Sequence, residues 1–290
     1  MVSKARLYIG LTKPRVLQGN VITGAAGFLL ASGIAKHFYP GLFIATIVGM
    51  TLVIASACAL NNYLDQDIDR LMERTKDRAL PAGLLPGYGA VILSVVLGVV
   101  GMLVLIVWVN SLVVLIGLGG FIVYVWLYGA FSKRRSIYGT LVGSISGSAP
   151  ILAGYCAVSG KIDLTAVSLF FMIFFWQFPE FFSIAIYRRS EYKAAKIPVM
   201  TVVRGVKATK KQIFIYSIVY VLVTLVPTVL RKTGWIYFAV MLGSGLAFIR
   251  YAYRGLGMRA SNEWAKQMFH FSLMHLILLS IMLSLGAIIP

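Results

Sequence analysis

Long apolar runs separated by short polar connections dominate the chain. Nine of them, at about 16–34, 41–62, 88–109, 111–131, 138–158, 164–187, 211–230, 235–253 and 268–288, are each near the roughly 20 residues a helix needs to cross hydrocarbon. The alternating segments of an outer-membrane barrel are not the pattern here. The expected fold is therefore all-α: a polytopic membrane protein of nine transmembrane helices, forming one transmembrane domain over residues 1–290. Two connections are long, about 64–87 after span 2 and 188–210 after span 6. They give the chain a four-plus-four-plus-one layout. On span 5, Gly139, Gly143 and Gly147 form a small-residue stripe suited to close helix packing.

Composition agrees with this pattern. The chain is 59% hydrophobic and 12% charged, with a mean hydropathy of +0.87, where soluble domains carry roughly 25% charged residues. A net charge of +18 would point to nucleic acid in a soluble protein. In a membrane protein it is explained first by basic residues gathering in cytoplasmic loops, and no nucleic-acid partner is expected. With the N-terminus placed inside, only Lys36, Lys161, Arg231 and Lys232 of the 27 Lys and Arg fall on the outer side. That asymmetry predicts a cytoplasmic N-terminus and an outer C-terminus. The first apolar run has no clear small-residue cleavage site and leads into further spans, so it is expected to be retained. Cys58 and Cys156 lie inside apolar runs and read as buried thiols.

The acidic residues are unevenly distributed. Residues 61–78, NNYLDQDIDRLMERTKDR, hold five of the nine. Asn61, Asp65 and Asp69 recur every four residues, so each lies about 40° further round a helix than the last. They share a face from which Asp67 points away. Two carboxylates and an amide oxygen are hard ligands suited to Mg²⁺, which commonly bridges carboxylates to substrate phosphates. Arg74, Lys76 and Arg78 follow as cations able to hold a diphosphate. Left uncompensated, Asp65 and Asp69 would repel at this spacing.

A second group precedes the other long connection. Glu180, Tyr187 and Glu191 fall within about 40° of one another, again on one helical face. Glu180 lies within an apolar span, and an intramembrane carboxylate marks a functional site by default. Two acidic helix ends backed by Arg and Lys, beneath an apolar chamber, suit a substrate with an anionic head and a hydrocarbon tail.

These residues resemble the UbiA-type intramembrane prenyltransferases, and within them the haem-farnesylating branch. The resemblance rests on Leu11-Thr12-Lys13-Pro14-Arg15, Asn61-Asn62, Asp65, Asp67-Ile68-Asp69-Arg70 and Arg74-Thr75. It continues through Lys133-Arg134, Gly143-Ser144, Ala149-Pro150, Gly154-Tyr155, Trp176-Gln177 with Pro179, Tyr192 and Ile197-Pro198. It implies nine helices, Mg²⁺ as cofactor, and farnesyl transfer from farnesyl diphosphate to the 2-vinyl group of haem b. It also implies a bacterial cytoplasmic (inner) membrane location with its lipid, active loops on the cytoplasmic side, and terminal-oxidase assembly partners.

By role, the resemblance and the spacing together place Asn61, Asp65 and Asp69 on the metal. Glu180, Tyr187 and Glu191 complete the catalytic set, with the two glutamates near a second metal or orienting its waters. Arg74, Arg78, Lys133, Arg134 and Lys193 are expected on the diphosphate, with Lys13 and Arg15 as further candidates. The chain departs from the branch at Glu180, where it typically has His, and at Thr201, where it typically has Pro. His37, His270 and His275 match no motif and read as solvated or satisfied side chains. Two rivals remain. A UbiA-type enzyme acting on an aromatic or quinone precursor would normally have a second motif richer in Asp. A secondary transporter would place its charges nearer the midplane.

Overall fold

The computed structural model describes residues 3–289, and among them the fold is helical, with nine helices long and apolar enough to cross a membrane. Spans 1 to 5 are Pro14–Ala35, Pro40–Asp69, Gly87–Trp108, Ser111–Arg135 and Gly139–Ser159. Spans 6 to 9 are Leu164–Tyr187, Gly205–Val229, Trp235–Gly257 and Ser261–Gly286.

Local chemistry fixes many of these ends. Pro14 and Pro40 open spans 1 and 2, where a missing N–H costs nothing. Asn110 and Asp163 accept hydrogen bonds from the backbone N–H of Val113 and Ala166, capping spans 4 and 6. Gly160 ends span 5 at φ 65°, a left-handed conformation glycine adopts without a Cβ penalty.

Five helices overrun the expected boundaries on their polar sides by about a turn or more, three of them by six or seven residues. Span 2 stays helical to Asp69, span 7 begins at Gly205 and span 9 at Ser261. Asn61 to Asp69 therefore belong to a helix and not to a loop, because a helix continues beyond the hydrocarbon as long as its backbone bonds are made. The two long connections shrink to 70–86 and 188–204, the second containing the short helices Arg189–Ala194 and Met200–Val203.

Helix packing builds a chamber. Spans 1 and 5 touch backbone to backbone at Gly27 and Gly154, where any Cβ would meet the opposite main chain. Spans 2 and 3 are joined by Ser56, whose hydroxyl donates to the Ser94 carbonyl at 2.6 Å. Spans 1–6 and 9 all contribute side chains to one cavity of about 750 Å³. Spans 7 and 8 contribute none and support the wall from behind, with Tyr216 of span 7 stacked on Phe178 of span 6 at 4.0 Å.

The two long connections meet over one end of this cavity. Ile68 and Met72 pack with Ala195 and Ile197 in a small apolar cluster bordered by Tyr192 and Val199. Arg74 reaches Glu191 across the same junction at 3.7 Å. Both acid-bearing segments thus lie on one side of the helix bundle.

Candidate active site

Asn61, Asp65 and Asp69 are each 2% exposed, and all three line the cavity from span 2. Burying carboxylates demands partners, and each finds one from a distant segment. Lys133 donates to Asp65 Oδ2 at 2.6 Å, Arg78 donates to Asp69 Oδ2 at 2.8 Å, and Lys13 donates to Asn61 Oδ1 at 2.6 Å. This explains how two like charges tolerate adjacent turns of one helix. Asp67 points outward, 62% exposed in its side chain, and pairs with Arg134 at 2.7 Å.

Lys13 is held by an unusual backbone, at φ 52° just before Pro14. A non-glycine residue in the left-handed region stores strain, which is commonly found at functional sites. Here it turns the ammonium toward span 2, and burial pushes the Lys13 pKa below its ordinary range.

Span 4 supplies Tyr124, Tyr128 and Lys133 from an irregular stretch. Val123–Ser132 is wound as a π-helix, a rare form frequent at functional sites. The two tyrosine rings stack at 5.9 Å along the cavity wall, and the Tyr124 hydroxyl lies 3.4 Å from Asn61 Oδ1.

Span 6 presents the stripe Ile173, Trp176, Gln177, Glu180, Phe181, Ile184 and Tyr187 to the cavity. Its helix ends at Tyr187, and a new short helix starts at Arg189. The continuous face expected for Glu180, Tyr187 and Glu191 is therefore broken. Glu180 and Tyr187 line the cavity, whereas Glu191 lies behind its wall, bonded to Arg188 at 2.7 Å. Tyr192 takes the lining position instead, and burial pushes its phenol pKa up.

Among the expected diphosphate residues, Arg74, Arg78 and Lys133 line the cavity, as do Lys13 and Arg15. Arg134 is turned to Asp67 and Lys193 is exposed on its short helix; neither lines the cavity. Tyr124, Tyr128 and Tyr192 were not singled out as site residues by the sequence reading. The only local signal for the first pair was their spacing of four in an apolar run.

The donor set fits a hydrated divalent cation in one respect. Asp65 Oδ1 is buried without a hydrogen-bond partner, with Arg134 no nearer than 4.0 Å. Asp69, which also lines the cavity, accepts from Arg78 through Oδ2. Asn61 Oδ1 is already taken by Lys13. No three His, Cys, Asp or Glu side chains gather as a metal-holding group among the described residues. The glutamates of the second group thus do not join the aspartates. The histidines lie elsewhere: His275 is buried against the Tyr220 hydroxyl at 2.8 Å, and His270 is exposed. Thr201 is fully buried and donates to Thr209 at 3.1 Å.

An apolar chamber rimmed by alternating acids and bases, lined by seven of nine spans, defines a class of membrane enzyme. The sequence model of the UbiA prenyltransferase family matches residues 20–274, and the chain belongs to that family. Among its relatives, a protoheme IX farnesyltransferase from Chromohalobacter salexigens is 47% identical, the match covering 96% of this chain and 94% of the relative. Enzymes of the same name from Protochlamydia amoebophila and Yersinia enterocolitica are 43% and 42% identical, with at least 94% of each chain covered. In fold, the chain is similar to a digeranylgeranylglyceryl phosphate synthase, with a TM-score of 0.80 at 19% identity over 99% of both chains. It is also similar to a UbiA homolog from Archaeoglobus fulgidus bound to GPP and Mg²⁺, with a TM-score of 0.71 at 14% identity over 96% of this chain and 99% of that one.

Proposed function

We propose that this chain transfers the farnesyl group of farnesyl diphosphate to the 2-vinyl group of haem b, adding water to give haem O and releasing diphosphate. One observation carries the proposal: a single cavity joins a paired acid–base rim to an apolar interior. The rim suits the diphosphate and the interior suits a farnesyl tail. The relatives at 42–47% identity favour haem as the acceptor.

Lys13, Arg74, Arg78 and Lys133 hold the diphosphate, exchanging part of their bonding to acids for bonds to phosphate oxygens. Asp65 and Asp69 are the residues that would hold Mg²⁺. Such an ion would supply positive charge to offset that of a departing diphosphate. The C1–O bond breaks and leaves an allylic cation. Leu105, Val113, Ile116, Phe121 and Ile173 along the cavity keep the tail dry and limit early capture of the cation by water. The terminal vinyl carbon then bonds to farnesyl C1. Positive charge moves to the inner vinyl carbon, which water attacks.

The basic-residue asymmetry supports a cytoplasmic N-terminus and, with it, a rim at the inner leaflet of a bacterial cytoplasmic membrane. The whole chain acts as one transmembrane domain, with terminal-oxidase assembly proteins as its candidate partners.

The test is to incubate membranes containing the protein with haem b, farnesyl diphosphate and Mg²⁺, and to identify the pigment by mass. The expected product is the hydroxylated farnesyl adduct, and absence of any farnesylated haem would sink the proposal. Asp65→Ala and Asp69→Ala should each abolish conversion while inserting normally. Near-wild-type turnover in either variant would refute the metal assignment.

A further inference from the structure

Of the nine acidic residues, Glu180 is set apart by its surroundings. Asp65, Asp67, Asp69 and Glu191 each pair with a Lys or Arg on or behind the rim. Glu73 and Glu263 sit at the surface near lysines, and Asp77 is exposed. Asp163 caps span 6 and accepts from the Tyr155 hydroxyl at 3.0 Å. Glu180 is 8% exposed, lines the cavity, and has no ion pair or hydrogen-bond partner among the described residues. Unlike Asp65 Oδ1 and Glu191 Oε2, its oxygens are not sealed off, and a carboxylate kept at the cavity without a cation calls for an explanation.

The other polar groups facing the cavity at this depth are occupied by their own helices or neighbours. Trp176 Nε1 donates to the Ser272 carbonyl at 2.9 Å, and Gln177 Nε2 donates to the carbonyls of Ser144 and Ile173 at 3.1 Å. Asn20, Thr23 and Ser146 each donate to a carbonyl of their own helix. None of these has a lone pair basic enough to take a proton from water. Glu180 lies two helical turns, roughly 10 Å, further into the span than Tyr187 at the rim. It is therefore held on the side of the cavity where the hydrocarbon portion of a substrate lies, away from the cations that neutralise the other acids.

The farnesylation reaction, on which this inference rests, has one step that needs such a group. Once farnesyl C1 has bonded to the terminal vinyl carbon, water attacks the cation at the inner vinyl carbon. The water oxygen forms a C–O bond and must lose a proton, or the addition reverses. We infer that Glu180 is the proton acceptor of this water-addition step. One Glu180 oxygen receives a hydrogen bond from the water. As the C–O bond forms, the O–H electron pair stays on oxygen and the proton passes to the carboxylate. No oxidant or reductant is needed. Glu180 then returns the proton to solvent through the open rim after product leaves.

Without this base, the same cation loses a proton from the adjacent methylene that was the terminal vinyl carbon, and the released diphosphate accepts it. The product is then a diene, lighter than the hydroxylated adduct by one water. The variant Glu180→Gln keeps the shape but cannot take the proton. Glu180→His restores a basic nitrogen. The experiment follows diphosphate release and pigment mass together, in water enriched in ¹⁸O. For Glu180→Gln, diphosphate release should continue, the diene should become the main product, and ¹⁸O incorporation should fall at least tenfold. For Glu180→His, the hydroxylated, ¹⁸O-labelled product should return. An unchanged ratio of hydroxylated product to diene in Glu180→Gln overturns the inference, and so does loss of diphosphate release in that variant, since ionisation precedes the water step. If the unaltered protein makes no farnesylated haem at all, it is the farnesylation reading that fails.

Discussion

The seam between spans 1 and 5 gives a direct test of how packing positions the rim. A Cβ added at Gly154 would lie within the van der Waals envelope of the Gly24 carbonyl oxygen, 2.8 Å from the Gly24 carbonyl carbon and 3.1 Å from the Phe28 nitrogen. All three are backbone atoms, so no side chain can swing aside. The helices must part by at least about 0.7 Å, and by more to clear the oxygen, to reach ordinary contact near 3.5 Å. Overpacking of this kind costs roughly 1–3 kcal/mol, and Gly→Ala returns at most about 1 kcal/mol in helix propensity. Gly154→Ala should therefore lower stability by about 1–2 kcal/mol. It should also weaken substrate binding, because span 1 begins beside Lys13, which bonds to Asn61. Gly243→Ala is the control: that glycine has nothing within 4 Å of an added Cβ and should lose no stability. The assay is the thermal midpoint of purified protein in mild detergent, with KM for the diphosphate substrate measured alongside. A Gly154→Ala protein as stable as wild type, or an equal loss in Gly243→Ala, would refute the reasoning.

Two further outcomes follow from the charge pairs. Arg78→Ala removes a cavity-lining cation and leaves Asp69 without its partner, so KM for farnesyl diphosphate should rise at least tenfold, since a bond to a charged group is worth roughly 1.5–3 kcal/mol. Arg134→Ala loses a pair whose acid is exposed, worth roughly 0–1 kcal/mol, and should change the same KM less than about fivefold; similar effects in both variants would contradict the division. Lys13 has a lower pKa in the folded protein than in the unfolded chain, so between that lowered value and the ordinary 10.5 the unfolded chain binds more protons. Stability at this site should rise as pH climbs through that window and stay flat below it. Lys13→Met should abolish the rise, as read from detergent unfolding midpoints across alkaline pH.

The nine spans were legible because a membrane helix must satisfy its backbone internally and cover itself with apolar side chains, which leaves long runs. The face shared by Asn61, Asp65 and Asp69 was legible for a local reason: their spacing matches the helical turn. The second group was misread where that assumption failed, since the helix stops at Tyr187 and Glu191 starts again on a different axis. Tyr124 and Tyr128 were hidden by the π-helical winding of span 4, which departs from the ordinary turn. The partners of the acids were beyond any spacing argument. Lys133 and Asp65 are 68 residues apart, and Lys13 and Asn61 are 48 apart. Only the closing of the helix ring brings them together.

The pairing of every rim carboxylate with a lysine or arginine has a consequence for how a charged guest is received. Lysines and arginines crowded at a greasy mouth would splay apart or wander among rotamers. Tethered to neighbouring acids, they wait at fixed positions, and an incoming anion exchanges one partner for another without having to freeze loose chains. The same tethers reclaim their cations when the anion departs, so the mouth resets itself after each turnover.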